Sequence, residues 1–417
     1  MEKRFLAYDR QLEHLELRGV AIGDSSAGTL RNRVSALHRS YKFRLYPNAE
    51  QQAMFAKAFG CARFVYNQML SDKIVQYRTD KTMLYNTPAQ YKERFEWLRE
   101  VDSFALCNAQ LQLQTAYTNF FRQKPVGFPN FRSKKSHRDS YTTNFVNDNI
   151  RIESGRLKLP KTGLVCIKLH RQIPTDHKIK SVTISRNSSG RYYAAILTEY
   201  EFAPPAPKLD KSKALGLDYS SPHFYVDSQD TEADMPHFYR EAEGRLSREQ
   251  RRLSKMVRGS NNYRKQRRKV AIKHERASDC RKDWLHKEST KLANEWDYVC
   301  VEDINLRGMA GALKLGKSTN DNGFGMFRSF LDYKLAERGK RLITIDKWFP
   351  SSKTCHVCGA VNHALTLKDR EWDCACGAHL LRDLNAAINI KNAGLSLVNT
   401  NRGAHGDNSL ILSRSCS

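Results

Sequence analysis

The 417-residue chain has no run of about 18 apolar residues, the least a helix needs to cross a bilayer, so an integral helical membrane protein is excluded. A secretory signal is missing too, and the ten cysteines are scattered through apolar and polar settings rather than spaced as a disulfide frame. Together these absences predict a reducing cytosol, with no membrane partner. Acid is the other shortfall. Against 70 Lys and Arg there are 44 Asp and Glu, a formal charge of +26. A surplus of that size, spread along the chain rather than gathered beside an anchor, goes beyond what solubility needs and points to nucleic acid. The length allows two or three domains with a sizeable core.

Four cysteines do form a pattern. Cys355 and Cys358 make a CxxC knuckle, and fifteen residues later Cys374 and Cys376 add a second pair. Four thiolates so spaced suit one closed, tetrahedral, structural zinc. The CxC pair has a shorter bite than CxxC, however, and His356, His363 and His379 stand near enough to replace a thiolate. Ordinary buried cysteines are the bland alternative. Directly after the second knuckle, Asp383 opens a helical run carrying Ala386, Ala387 and Ile390.

Upstream, YKFRLYP from Tyr41 alternates like a strand that Pro47 ends, and Asn48 with Gln51 can box the start of a helix. That helix should bury Phe55, Phe59, Ala62, Val65, Tyr66 and Met69. Helices continue to about residue 123, with Trp97, Leu106, Leu111, Leu113, Tyr117, Phe120 and Phe121 expected in the core. From Gly127 to Thr143 aromatic and basic residues interleave. Phe128, Phe131 and Tyr141 could stack on bases while Arg132, Lys134 and Lys135 meet phosphates, but a solvated hairpin would have the same composition. Alternating strands follow, with a turn at Asn187 to Gly190, and Pro204, Pro205 and Pro207 mark a linker.

The strand ALGLDY then delivers Asp218, an acid that would be costly in a sheet without a cation or a loop end beside it. Asp227 on the next strand reads as a turn residue. From Arg240 to Trp296 two helices, broken at Gly259 to Asn262, carry charge of nearly one sign. Leu246, Leu253 and Val257 mark the buried face of one, Trp284, Leu285 and Leu292 that of the other. Arg264, Lys265, Arg267 and Arg268 are its densest basic run, which favours a nucleic-acid track over a merely solvated surface. The apolar strand from Tyr298 ends in Glu302 and Asp303, a helix and a further strand RLITID follow, and the sequence beyond Gly394 reads as a disordered tail.

PSSKTCxxCG, a second cysteine knuckle and RDxNAAxNI together resemble the C-terminal signature of TnpB, a family of RNA-guided nucleases encoded by insertion-sequence elements and related to type V CRISPR effectors. The likeness extends over most of residues 41–394. It implies an α/β plus β-barrel architecture: an RNase H-like RuvC nuclease domain with an inserted zinc ribbon, and an N-terminal split β-barrel (wedge) with a helical recognition insertion. The implied boundaries are an extension at 1–40, barrel at 41–50 and 126–205, helical recognition at 51–125, a linker at 206–213, RuvC-like parts at 214–350 and 379–397, the ribbon at 351–378, and a tail at 398–417. It implies Asp218, Glu302 and Asp383 as catalytic ligands of two Mg²⁺ ions, with Mn²⁺ as a substitute, beside one structural Zn²⁺, and it tips the 127–143 segment toward nucleic acid. Asp303 becomes a supporting residue or a cap. The partners implied are a transposon-encoded guide RNA and double-stranded DNA with a short flanking motif, bound by a monomer. One departure is plain: Leu381 stands where the family usually has an additional acid. The rival classes are a nuclease-dead RNA-guided repressor, expected to lose one of the three acids, and a DNA-joining transposase or accessory, expected to show a nucleophilic tyrosine.

Overall fold

The computed structural model describes residues 35–123, 126–136, 139–202, 205–220, 223–304, 322–366 and 368–400. All of these but Ser35 lie in one compact unit, Ala36–Ser417. The expected extension as far as residue 34, Pro204, and the tail from residue 401 lie outside the described residues.

Strand β1 (Ser35–Tyr46) begins six residues before Tyr41, and buries Tyr41, Phe43 and Leu45 in strict alternation. Pro47 ends it, and the Asn48–Gln51 capping box starts helix α1 (Ala49–Asp80), with the Gln51 amide donating to Asn48 Oδ1 at 2.8 Å. The expected stripe of α1 is buried. Helices α2 (Pro88–Arg94) and α3 (Ser103–Arg122) follow. Helix α3 buries Ala105, Leu106, Ala109 and Leu113, at the 3–4 spacing of one face. Leu111 and Phe121 fall on another face and are exposed, as is Trp97 before the helix, so these three correct the expected core.

Strands β2 (Asp139–Asn144), β3 (Arg151–Glu153), β4 (Arg156–Leu159), β5 (Gly163–Lys168), β6 (Lys178–Arg186) and β7 (Tyr192–Phe202) join β1 in a seven-stranded sheet ordered β2-β6-β7-β1-β5-β4-β3. Its core is continuous with α1 and α3.

A second, four-stranded sheet is built from β8 (Ala214–Tyr219), β9 (Tyr225–Asp227), β10 (Tyr298–Glu302) and β11 (Arg341–Ile345), in the order β11-β10-β8-β9. Strand β10 runs parallel to both β8 and β11, whereas β9 is antiparallel to β8. The near-continuous apolar runs of β8 and β10 are what parallel strands covered on both faces require. Helices α4 (Phe238–Ser254), α5 (Asn261–Glu295) and α6 (Phe324–Ala336) fall between these strands. Leu285 and Leu292 of α5 and Phe327, Leu331 and Leu335 of α6 cover Val299 and Val301. Leu246 is buried as expected, but Val257 lies in the turn beyond α4 and is exposed.

Hairpin β12 (Glu371–Asp373) and β13 (His379–Leu381) leads into α7 (Arg382–Thr400), which covers the opposite face through Ile390 against Cys300 and Ile345. Because α7 runs to Thr400, the residues just past Gly394 are helical rather than a disordered tail.

Candidate active site

Register brings two of the acids together. Strands β8 and β10 pair Gly216 with Cys300 and Leu217 with Val301, so the next residues along, Asp218 and Glu302, lie near the ends of neighbouring parallel strands. Side chains alternate, so Gly216 and Asp218 share one face, as do Cys300 and Glu302. That face is the one α7 covers, and the helix sits almost on the sheet. A Cβ at Gly216 would lie 2.0 Å from the Ala387 carbonyl oxygen, and one at Gly394 would lie 2.4 Å from Cys300 Sγ. Both glycines are therefore fixed by close approach. Asp383, in the first turn of α7, comes down beside the strand ends.

The electrostatics record that approach. Burial, then the charges of Asp383 and Glu302, push the Asp218 carboxyl well above the usual carboxylate range. Glu302 is raised too, by burial and then by Asp303. Asp383 is already engaged: Arg382 Nη2 lies 2.9 Å from its Oδ1, and Arg370 Nη1 3.5 Å from its Oδ2. Asp218, with Asp383 and Glu302 near enough for their charges to oppose its ionisation, makes with them a hard-oxygen set suited to Mg²⁺ or Mn²⁺. Among the described residues they do not belong to the groups whose ligand atoms all close within 4.8 Å. Asp227 and Asp303 have partners of their own: Asp227 Oδ1 accepts from the Gln229 and Thr231 amides as a turn residue, and Asp303, whose charge reaches Glu302, faces Arg328.

The four cysteines do meet that limit. Their sulfurs all lie within 4.8 Å of one another, with Cys355 to Cys376 at 3.8 Å and Cys358 to Cys374 at 3.5 Å. A tetrahedron with metal–sulfur bonds of about 2.3 Å has edges of about 3.8 Å, so the set fits zinc, and the short CxC bite is accommodated. Burial opposes ionisation of Cys355, but the backbone amides of Cys358 and Val357 and the adjoining thiols outweigh it, holding the thiol down at about 7. Two of the alternative histidines are turned elsewhere, His356 Nδ1 to Asn385 and His379 to Asp373 and Glu371.

The interleaved 127–143 segment divides. Phe131, Lys134 and Lys135 are exposed, and Phe128 is exposed while also packing edge-on against Tyr117 and Phe120. Tyr141 is a correction: it is 4% exposed against Phe55 and Phe59, so its ring has no face for a base. Strand alternation toward α1 decides this, since Tyr141 takes an inward place on β2. Arg132 is half-buried, with its guanidinium 3.8 Å from the Tyr66 ring centroid and Asn67 holding its backbone.

On α5, Arg264, Lys265, Arg267 and Arg268 are exposed. All but Lys265 line a cavity of about 590 Å³ together with Arg44 and Arg186. Those last two lie far apart in sequence, and as single basic residues on alternating strands they gave no sign of converging.

Three family models match the chain: "Probable transposase" over residues 197–313, "Cas12f1-like, TNB domain" over 324–390, and "Helix-turn-helix domain" over 37–82. In the last stretch the structure has β1 and the single long helix α1. The chain is 37% identical over 368 residues to the "Putative RNA-guided DNA endonuclease" of Streptomyces pristinaespiralis, covering 86% of this chain and 90% of that protein. It is 28% identical over 381 residues to the "Putative RNA-guided DNA endonuclease InsQ" of Escherichia coli K12, covering 85% and 92%. Among solved structures it is similar to a chain of the Cas12f1–sgRNA–target DNA complex, with a TM-score of 0.51 over 87% of this chain and 99% of that one. At 12% identity that likeness concerns the mixed α/β fold.

Proposed function

The chain belongs to the TnpB-like family of RNA-guided DNA endonucleases, and from that premise we propose that Asp218, Glu302 and Asp383 form one divalent-metal site that hydrolyses DNA phosphodiesters. The observation that carries this is the placement of Asp218 and Glu302 at neighbouring parallel strand ends with Asp383 at a helix start beside them, the Asp218 carboxyl being raised by burial and then by the charges of the other two. Asp218, Glu302 and Asp383 would hold the divalent ions, Mg²⁺ or Mn²⁺, whose chemistry when bound would be to activate water and to stabilise the leaving 3′ oxygen. The rigid sheet fixes Asp218 and Glu302, while α7 aims Asp383 across them. Arg370 and Arg382 share the Asp383 carboxylate and must yield part of it to a cation.

The four-stranded sheet is read as an RNase H-like core, the seven-stranded sheet as the wedge barrel, and the cysteine cluster as a zinc ribbon. Guide RNA lies along the basic cavity between β1, β6 and α5, and pairs with the target, while protein reads a short flanking DNA motif. With one such site among the described residues, both strands are cut there in turn by one monomer in the bacterial cytosol.

Sequencing the RNA that copurifies with the protein, then offering DNA matching its 3′ segment, tests the reading. The expected result is a structured RNA whose variable end directs Mg²⁺-dependent cutting of both strands. Guided binding without cutting, even in Mn²⁺, would instead make the protein a repressor.

A further inference from the structure

Two asparagines four residues apart on α7 take no part in the chemistry above, yet both are nearly enclosed, Asn385 at 1% and Asn389 at 6% exposure. A buried amide is costly unless its donors and acceptors are met. Here they are met by the first cysteine knuckle. Asn385 Nδ2 donates to the Thr354 carbonyl at 2.8 Å, and its Oδ1 accepts the His356 backbone N–H at 3.0 Å. Asn389 Nδ2 donates to the carbonyls of Ser351 at 2.8 Å and Thr354 at 2.6 Å. Cys355 lies between Thr354 and His356, so α7 grips the backbone on both sides of a sulfur in the cysteine cluster.

The residue type follows from the task. The i, i+4 spacing places both side chains on one face of the helix. A primary amide presents a donor and an acceptor in one plane, matching a knuckle that offers a carbonyl and an N–H. Aspartate would set charge against the Thr354 carbonyl, and an aliphatic residue would leave it unmet. The far edge of the ribbon is tied to the same helix start: the Arg382 amide donates to the Arg370 carbonyl at 2.8 Å, and Arg382 Nη1 to the Asp369 carbonyl at 3.1 Å. The sheet side is closed by Gly216 and Gly394. Asp383 is held between the two.

We propose that Asn385 and Asn389 are positioning residues that lock the zinc knuckle to the helix presenting Asp383, so that zinc in the ribbon raises the affinity of the carboxylate site for its divalent cation. The cation's role rests on the nuclease reading; the lock does not. Zinc orders the knuckle, the knuckle carbonyls hold the asparagines, and the asparagines fix the first turn of α7. Coupling of this kind is reciprocal and typically spans 5- to 150-fold.

The test uses the full chain with its RNA, as wild type, Asn385→Ala, Asn389→Ala and Asn389→Ser. Three quantities are measured: zinc per chain, hydrogen–deuterium exchange of amides 382–388, and the Mg²⁺ concentration for half-maximal cutting. The expected result is retained zinc, exchange faster by about tenfold or more, and a Mg²⁺ midpoint raised by a similar factor with the maximal rate recovered at saturation. Asn389→Ser, which keeps a donor, should fall between wild type and Asn389→Ala. Chelating zinc from the wild type should speed exchange over the same amides. Unchanged exchange in the variants or on zinc removal would overturn the lock, as would a fall in maximal rate with an unchanged Mg²⁺ midpoint. Should an alanine variant fail to fold, Asn389→Ser decides by the same exchange measurement. If the wild type never cuts, the nuclease reading fails while zinc content and exchange still judge the lock.

Discussion

Lys334 shows how one side chain reports on the packing beneath the acid site. It is buried on α6, and its ammonium donates to the His286 carbonyl at 2.7 Å, Ser289 Oγ at 2.7 Å and Thr290 Oγ1 at 2.8 Å. Burial, then the nearby Arg338 charge, lowers it to about 8. The unfolded chain keeps an ordinary lysine near 10.4, so between those values it binds more protons than the folded one, and stability rises with pH. Lys334→Met should remove that rise. Urea midpoints at pH 7 and pH 10 measure it, and equal pH responses in variant and wild type would contradict the assignment. Residue-scale legibility was uneven for a related reason. Asp218, Glu302 and the four cysteines stand out because charge or thiolate in an apolar run needs a partner. Tyr141 did not, because an aromatic beside a base has the same composition whether its ring meets a nucleobase or another side chain.

Helix α7 is the element on which the arrangement turns, seated on the sheet on one side and gripped by the ribbon on the other. Gly216→Ala would force a Cβ against the Ala387 carbonyl, lifting the helix at a cost of about 1–3 kcal/mol and drawing Asp383 away from Asp218. Thermal unfolding and cutting rate should both fall. A variant as stable and active as wild type would show that the helix has slack. The ribbon makes its own prediction at this scale: metal analysis should find about one zinc per chain, and Cys355→Ser should release it and loosen the C-terminal elements. A chain that folds and cuts with no zinc would sink the assignment. The knuckle spacing and the Asn48–Gln51 capping box were legible because their signals are local. Neither the seat at Gly216 nor the true extent of β1 and α7 was, since these depend on what the rest of the chain brings alongside.

At the scale of the molecule, the net charge of +26 becomes a placed surface only in three dimensions. The run on α5 meets Arg44 and Arg186 from the seven-stranded sheet around one cavity, so strands far apart in the chain complete a patch the sequence divides between them. Replacing Arg264, Lys265, Arg267 and Arg268 by Ala should flatten the slope of log RNA affinity against log salt by about 0.7 for each phosphate no longer neutralised. An unchanged slope would make the run a solvated face. The central claim, that three acids from separate parts of the chain act as one hydrolytic site, is tested most directly by Asp218→Ala, Glu302→Gln and Asp383→Ala, each purified with its RNA and assayed for target binding and for cutting of each DNA strand. These changes remove the proposed metal ligands and leave the basic surfaces intact. Each variant should bind the matched target as wild type does and cut neither strand at any Mg²⁺ concentration. A variant that still cuts one strand at the wild-type rate would contradict the single shared site.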